Sequence, residues 1–211
     1  MSEKKYCAVK TKYYKNSNAS GEIGHILRLF KDNINTFPEL TKNNFGYSFN
    51  EDLNLLENYN LNIAKANADL VARNKKQMQH NANTYVDSVL IFNRELFDQM
   101  IKDGRNDEIK QATKDFMNDF KKQYGFEPVG FEFHLDEGTE QQEEDKDIKN
   151  NYHAHAIFLN YDFKNGKMPL RDMRKKDWEN SQDLLHKHFH KFGFERGIKK
   201  TLTKKQGKSK A

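Results

Sequence analysis

The chain has 211 residues, 36% of them hydrophobic and 32% charged, a length that supports one substantial core and a single domain by default. The mean hydropathy of −1.04 is low, but 16 Phe and 9 Tyr supply enough large apolar groups for that core. No apolar run approaches the length of a membrane span, and the first residues lack a secretory signal. The single cysteine, Cys7, excludes an internal disulfide and makes a reducing cytoplasm the expected compartment.

The net charge of +5 is placed unevenly along the chain. Seven basic residues and no acidic ones lie between Arg196 and Ala211, and a second basic segment spans 164–176 with Asp172 as its one acidic residue. Local patches of this kind favour a polyanionic partner such as nucleic acid. The alternative interpretation is a solubilising surface for the inner segment and a disordered end for the outer one.

In chain order, the sequence predicts a first strand at 5–14, a loop at 16–21 and an amphipathic helix at 22–32. Irregular structure follows at 37–50, then a helix at 61–79 and a strand at 84–93. Helices at 94–102 and 107–124 precede strands at 129–135 and 152–160, which flank a polar hairpin loop at 138–150, and a last helix spans 177–192. This order predicts an α+β fold, with an antiparallel sheet covered by helices on one side.

Three histidines in two of the predicted strands form the most informative pattern in the sequence. His153 and His155 are two residues apart, so both imidazoles leave the same face of a strand. His134 lies in a strand where Phe131 and Phe133 alternate with it toward the opposite face. If the two strands pair, three neutral imidazoles converge on one metal ion and leave coordination positions open for a substrate. The alternative is a pair of solvent-facing histidines on an edge strand.

Other polar groups near these patterns have weaker interpretations. Asp136 and Glu137 directly follow His134, where either could orient an imidazole, complete the coordination, or only begin the acidic loop. His186 and His190 are spaced for zinc binding on a helix, but no suitable carboxylate lies beside them. A solvated helix face is the preferred interpretation of that pair.

His25 is the next candidate for chemistry. On the predicted helix it falls roughly opposite the apolar stripe, and Arg28 projects on the same side. A guanidinium beside a nucleophile or base is what a phosphate-handling site needs. An ordinary exposed side chain is the alternative for His25.

Several short motifs now resemble those of plasmid relaxases of the MOBV (Mob/Pre) family. The run His134-Leu-Asp-Glu, followed by His153-Ala-His155, resembles the family's metal motif His-Leu-Asp-Glu-x-x-Pro-His-x-His. The segment at 24–30, with a second at 43–47, is similar to the N-terminal motif, and segments at 163–168 and 190–197 resemble the region after the metal motif. The resemblance covers almost the whole chain and is weak between 50 and 122. It departs in one place, because fifteen residues, 138–152, stand where the family has three that include a proline.

This resemblance implies a palm-like antiparallel sheet and a sequence- and strand-specific DNA nickase that acts at an origin of transfer. It implies that His25 is the nucleophile, that Arg28 binds phosphate, and that Glu137 matches the glutamate of the metal motif. A long hairpin insertion costs little loop entropy, but it makes the distance from Glu137 to the metal an open question. The implied metal ligands are His134, His153 and His155.

The resulting hypothesis is a transesterification on single-stranded or supercoiled plasmid DNA that leaves a 5′-phosphate adduct on His25. Attack needs a neutral imidazole, so activity should fall in acid. Manganese is the expected metal, with zinc, nickel, cobalt or magnesium as alternatives, and conjugation machinery is a further possible partner. The relaxase domain is expected at 1–195, with 196–211 as a basic tail or the start of a linker. The expected DNA-binding residues are Asn43, Asn44, Tyr47, Arg171, Arg174, Lys175 and Lys176.

Two rival functions remain open at the level of sequence. A rolling-circle replication initiator would use a related metal site with a tyrosine nucleophile, for which Tyr13, Tyr14 and Tyr47 are candidates, although adjacent tyrosines in a strand are common packing residues. A non-catalytic DNA-binding module with structural zinc would show closed tetrahedral coordination and no strand cleavage. The absence of a nearby fourth strong ligand in the sequence favours an open site.

Overall fold

A computed structural model describes residues 5–30, 35–140 and 148–197. Three short 3-10 segments lie at Pro38–Asn43, Pro169–Arg171 and His190–Phe192. None of the helices in the described ranges combines the length and apolarity needed to cross a bilayer. The helices and strands are β1 (Tyr6–Lys15), α1 (Asn16–Ile26), β2 (Phe45–Ser48), α2 (Leu55–Ala72), β3 (Asn83–Phe92), α3 (Arg94–Lys102), α4 (Asn106–Tyr124), β4 (Glu127–His134), β5 (Gly138–Glu140), β6 (Ile148–Asn150), β7 (His153–Leu159), α5 (Lys175–Phe189) and β8 (Glu195–Arg196).

The main sheet has six strands in the order β2-β4-β7-β3-β1-β8. Its neighbours are antiparallel except β8, which pairs with β1 in parallel at one edge. The α+β class and the antiparallel pairing of the histidine strands agree with the sequence prediction. The parallel edge strand is a difference, and it arises because the chain returns from α5 to the start of β1.

Helices cover both faces of this sheet, not one face as predicted. On one face, alternate residues of β7 such as Ala154 and Phe158 pack with α3, α4 and α5 in the larger core. On the other face, Ile157 and Leu159 pack with α1 and α2 in a second core. The first half of β7 turns its histidines to that second face, so one strand contributes both core and site.

Some predicted element boundaries were wrong. The helix predicted from residue 22 begins at Asn16 and ends at Ile26, because the polar stretch predicted as a loop forms its first turns. The second helix begins near Asn54, where the Asn54 and Glu57 side chains form a capping box. Residues 45–48, predicted as irregular, form the edge strand β2.

The loop predicted at 138–150 and the tail predicted from Arg196 each lie partly within the described ranges. The loop predicted at 138–150 begins and ends as a two-stranded hairpin, in which Gly138 pairs with Asn150; residues 141–147 lie outside the described ranges. At the start of the segment predicted as a tail, Arg196 belongs to β8 and the Gly197 amide donates to the Cys7 carbonyl at 2.9 Å. Residues 198–211 lie outside the described ranges.

The close approach of β2 to β4 depends on Gly130. A Cβ at this position would overlap the Leu55 side chain and the Tyr47 carbonyl oxygen, which can shift only with the backbone of β2. We expect Gly130→Ala to lower the free energy of unfolding by roughly 1–3 kcal/mol. Gly21→Ala is the matched control. Nothing lies within 4 Å of its Cβ position, so the free energy of unfolding should rise by about 0.5–1 kcal/mol. Urea unfolding measures both, and an unchanged midpoint for Gly130→Ala would contradict the packing described.

Candidate metal centre

The three histidines meet on the second sheet face, the one that α1 and α2 cover farther along the strands. His134, at the end of β4, pairs with His153, at the start of β7, and His155 follows two residues later on the same face. The ring centroids are 5.0, 5.0 and 5.2 Å apart, and one nitrogen from each ring lies within 4.8 Å of the others. His134 and His153 are buried, and His155 is partly exposed. The predicted convergence of the three imidazoles is therefore present.

Hydrogen bonds on the outer sides of the rings set the tautomers. His134 Nε2 lies 2.9 Å from the Ile26 carbonyl oxygen, and His153 Nδ1 lies 2.7 Å from the Asn151 carbonyl oxygen. Because a carbonyl oxygen only accepts, each of these nitrogens carries the ring proton. The other two nitrogens, His134 Nδ1 and His153 Nε2, face each other at 3.2 Å with their lone pairs.

The third ring is held by a carboxylate. His155 Nδ1 donates to Asp87 Oδ2 at 2.9 Å, which leaves His155 Nε2 as the free lone pair. Asp87 lies in β3 and its side chain is buried. A carboxylate behind a ligating imidazole fixes the orientation of the ring and raises its basicity. Asp87 therefore completes a set of three oriented nitrogen donors.

This donor set fits a divalent cation. Two lone pairs that face each other at 3.2 Å without a shared proton repel, and a cation bound to both removes that repulsion. Burial lowers the pKa of His153 to about 4, with the charge of His155 as a further cause. Burial also lowers the pKa of His134. His134 and His153 are thus neutral near pH 7, as metal ligands must be.

Glu137 borders the same nitrogens. Its Oε1 lies 3.5 Å from His134 Nδ1, and its Oε2 lies 3.7 Å from His153 Nε2. Burial raises the pKa of the Glu137 carboxyl, but the contacts with His134 and His153 in their protonated forms, together with the hydrogen bond from Arg28, outweigh burial and hold the pKa well below its usual range. The long insertion begins after this residue, in the β5–β6 hairpin, and the Asn151 amide donates to the Glu137 carbonyl at 2.8 Å. Glu137 therefore lies beside the histidine nitrogens despite the long insertion that follows it.

Arg28 is held by carboxylates. Its Nε and Nη2 donate to the two oxygens of Asp136 at 3.0 and 2.8 Å, and Nη2 also donates to Glu137 at 2.7 Å. Nη1 donates to the His25 carbonyl at 3.3 Å. These four bonds leave one of the five guanidinium N–H groups for a phosphate. The expected phosphate-binding arginine is therefore chiefly a clamp between α1 and the end of β4.

His25 lies in the last turn of α1, where its backbone carbonyl accepts a hydrogen bond from Arg28. The Arg28 and Leu29 amides donate back to the His25 and Gly24 carbonyls, with Arg28 at φ 56° where glycine is usual. The Ile26 carbonyl accepts from His134, so the last turn of α1 is tied directly to the histidine cluster. The His25 side chain itself is exposed, as the helical pattern predicted.

The expected DNA-binding residues are dispersed in the structure. Asn43 is exposed beside β2. Asn44 is occupied structurally, because its Oδ1 accepts from the Leu135 amide at 2.8 Å. Tyr47 pairs with Phe131 and packs on the larger core, which places it on the sheet face opposite the histidines. The exposed residues Arg171, Arg174, Lys175 and Lys176 lie beyond the far end of β7.

Two carboxylates at the site escaped the sequence interpretation. Asp87 lies in the middle of the predicted strand at 84–93, among apolar and β-forming residues. A charged residue at such a position was the one signal in the sequence that could have pointed to a role at the site. Glu132 pairs with His155 across β4 and β7, and burial raises the pKa of its carboxyl to about 7. In contrast, the His186 and His190 rings lie 5.8 Å apart without a third ligand in the described residues.

Solved structures resemble the chain over nearly its whole length. The Mn-bound crystal structure of the MobM relaxase domain (MOBV; Mob_Pre) with 22 nucleotides of plasmid pMV158 oriT DNA at pH 5.5 matches with a TM-score of 0.67 and 16% identity, over 92% of this chain and 91% of that chain. A Mn-bound complex with 23 nucleotides at pH 6.5 matches with a TM-score of 0.65 and 16% identity, over 98% and 100%. No protein-family model and no curated protein matches the chain.

At this level of identity the likeness establishes the fold. The chain has a relaxase fold, in which a six-stranded sheet covered by helices presents three histidines. More particularly, it is the fold of the MobM relaxase domain of the MOBV (Mob_Pre) type. The fold class expected from the sequence and from the family resemblance is confirmed.

The lowered pKa of His153 predicts a pH-dependent stability. Between about pH 6.5 and about pH 4 the unfolded chain binds a proton that the folded chain excludes, so acid favours unfolding in this window. In a chelating buffer we expect the free energy of unfolding to fall by at most about 3 kcal/mol across it. The measurement is thermal unfolding at several pH values, compared with His153→Asn. Identical pH profiles for the two proteins would show that His153 titrates normally in the fold.

Proposed function

We propose that this chain is a MOBV-type relaxase domain, a metal-dependent enzyme that nicks one DNA strand at a plasmid origin of transfer. The observation that carries the proposal is the inward orientation of one nitrogen from each of three imidazoles on a sheet of relaxase fold. The structural relatives were crystallised with manganese and oriT DNA. The three-histidine cluster and its position in the fold support the same chemistry here.

His134, His153 and His155 would hold the metal, with manganese as the first choice because the structural relatives contain it. When bound, such a cation neutralises charge that develops on the phosphate oxygens during strand cleavage. Asp87 orients the third ring from behind. Glu137 lies at the edge of the cluster, held by Arg28, where its charge would offset part of a bound cation's charge.

His25 is the proposed nucleophile. Its imidazole is exposed on the last turn of α1, and the backbone carbonyls of that turn bond to Arg28 and to His134 of the cluster. A neutral ring nitrogen forms a bond to phosphorus while the bond to the 3′ oxygen breaks. The 3′ oxygen leaves with the bonding electrons and takes up a proton, and the imidazolium loses its remaining N–H proton. The product is a phosphoramidate on the 5′ end.

The tyrosine alternatives are placed unfavourably. Tyr13 pairs with Val86, and Tyr47 with Phe131, on the face that packs against α3, α4 and α5. Tyr14 lies on the histidine face but in register with Leu159, four residues from His155, or about 13 Å along a strand. These placements favour His25 over the tyrosine nucleophile of a replication initiator.

The adduct is the direct test of the nucleophile. Incubated with manganese and supercoiled plasmids that carry candidate origins, the wild type should nick one strand and become attached to the new 5′ end. His25→Ala should lose the adduct and at least about 99% of nicking, because the bond-forming atom is removed, while oligonucleotide binding remains. His190→Ala, which removes an exposed histidine elsewhere, should retain both. A 5′ adduct that survives in His25→Ala would assign the nucleophile to another residue.

Metal affinity tests the role of Asp87 and separates the enzyme from a structural zinc module. Asp87→Asn should weaken manganese binding about 10- to 100-fold, because the amide orients the His155 ring less well. Asp119→Asn, which removes a carboxylate paired with Lys187 on the helical face, should bind manganese normally. Calorimetric titration measures both. Equal affinities would remove Asp87 from the site, and a tightly held tetrahedral zinc without nicking would support the structural module.

A further inference from the structure

Two adjacent cavities form a groove around the end of the sheet where β7 finishes. Their volumes are about 510 and about 500 Å³. The second is lined by Asn160, five residues beyond His155, or about 17 Å along an extended strand. This strand-end groove is therefore separate from the metal centre. The residues that line both cavities are Gln79, Ala82, Met168 and Arg171.

The groove is strongly basic. Lys75, Lys76, Lys167 and Arg171 line its first cavity, and Asp172 is the one carboxylate among the lining residues. That carboxylate is already paired with Lys167 at 2.6 Å. Lys76 and Arg171 are exposed, and neither has a carboxylate partner within the described ranges. The groove therefore offers positive charge that the fold has not neutralised.

The first turn of α5 adds cations where a helix disfavours them. Arg174, Lys175 and Lys176 are exposed at the amino end of this helix, directly after the groove residues Arg171 and Met173. The amino end carries the positive pole of the helix dipole, which favours anions and repels cations. A bound phosphate would be attracted both by these side chains and by the helix.

Two aromatic rings lie in the second cavity. Tyr13 projects from β1 with 53% of its surface exposed, and Trp178 lines the same cavity from α5. Trp178 is supported from behind by Phe126, at 6.3 Å between ring centroids. An exposed ring and a partly exposed one beside unpaired cations are the arrangement on which single-stranded nucleic acids stack their bases while phosphates meet the charges.

We propose that the strand-end groove binds a single-stranded nucleic-acid segment, several nucleotides away from the linkage at the metal centre. Lys76 and Arg171 contact phosphates, and Tyr13 and Trp178 stack on bases. An acidic protein segment would match the charge but would leave the aromatic side of the groove without a partner. The proposal goes beyond the nicking chemistry and depends on different residues, so either can fail alone.

The chain contains a single tryptophan, and it lies in the groove. Its fluorescence therefore reports on this site alone. We expect a 20-nucleotide oligothymidine to quench Trp178 when titrated into the full chain in a chelating buffer, where the metal centre cannot contribute. The apparent affinity should fall steeply with salt, because each phosphate contact releases a counterion.

Single substitutions separate the contribution of phosphate contacts from that of base stacking. Arg171→Ala and Lys76→Ala should each weaken binding about tenfold and lower the salt slope by about one. Tyr13→Ala should weaken binding about tenfold with an unchanged slope, because stacking releases no counterion. Lys65→Ala, which removes one exposed charge from α2 outside the groove, should bind as the wild type does. The manganese-induced rise in melting temperature checks that each variant is folded.

The outcomes are distinct. Equal weakening by Lys65→Ala and Arg171→Ala, or binding without any change at Trp178, would overturn the proposal. Competition by polyglutamate as effective as that by oligothymidine would show a general anion surface or a protein partner instead. Loss of nicking in His25→Ala with these results unchanged would leave the groove assignment intact.

Discussion

The arrangement of the site depends on one register, the pairing of β4 with β7 that sets His134 opposite His153. Strand side chains alternate, so a slip of β4 by one residue would turn His134 into the core under α3, α4 and α5 and Phe133 toward the metal face. The apolar residues that alternate with the histidines are fully buried under α3, α4 and α5. Burial of the core face therefore fixes which residues of the two strands face the metal site.

A second constraint links the nucleophile candidate to this register. Arg28 adopts a left-handed conformation that costs roughly 1–2 kcal/mol for a residue with a side chain. Its guanidinium bonds to Asp136 and Glu137, the two residues that follow the register-setting end of β4. Charge-assisted bonds of this kind offset the strain. A glycine would relieve the backbone and lose the connection between α1 and the metal face.

The sequence alone predicted the features that follow from the regular repeat of side-chain directions along a strand or a helix. Alternation in β4 and β7 predicted the meeting of the three histidines, and the helical period around residue 25 predicted an exposed His25. It was insufficient where composition misleads, as in the polar first turns of α1, which resemble a loop. Asn44 and Tyr47 were candidates for base contacts; the structure shows that the Asn44 side chain accepts from the Leu135 amide and that Tyr47 packs against the larger core.

The sequence by itself determined the donor types, their spacing within each strand, and the apolar residues that divide each strand between core and site. Only the tertiary structure decided which nitrogen of each imidazole faces inward, because the carbonyls of residues 26 and 151 and the carboxylate of Asp87 come from separate elements. It also decided that Arg28 clamps carboxylates and that Lys76, Arg171 and Trp178 share a groove. Such contacts join residues far apart in the chain, and no local period encodes them.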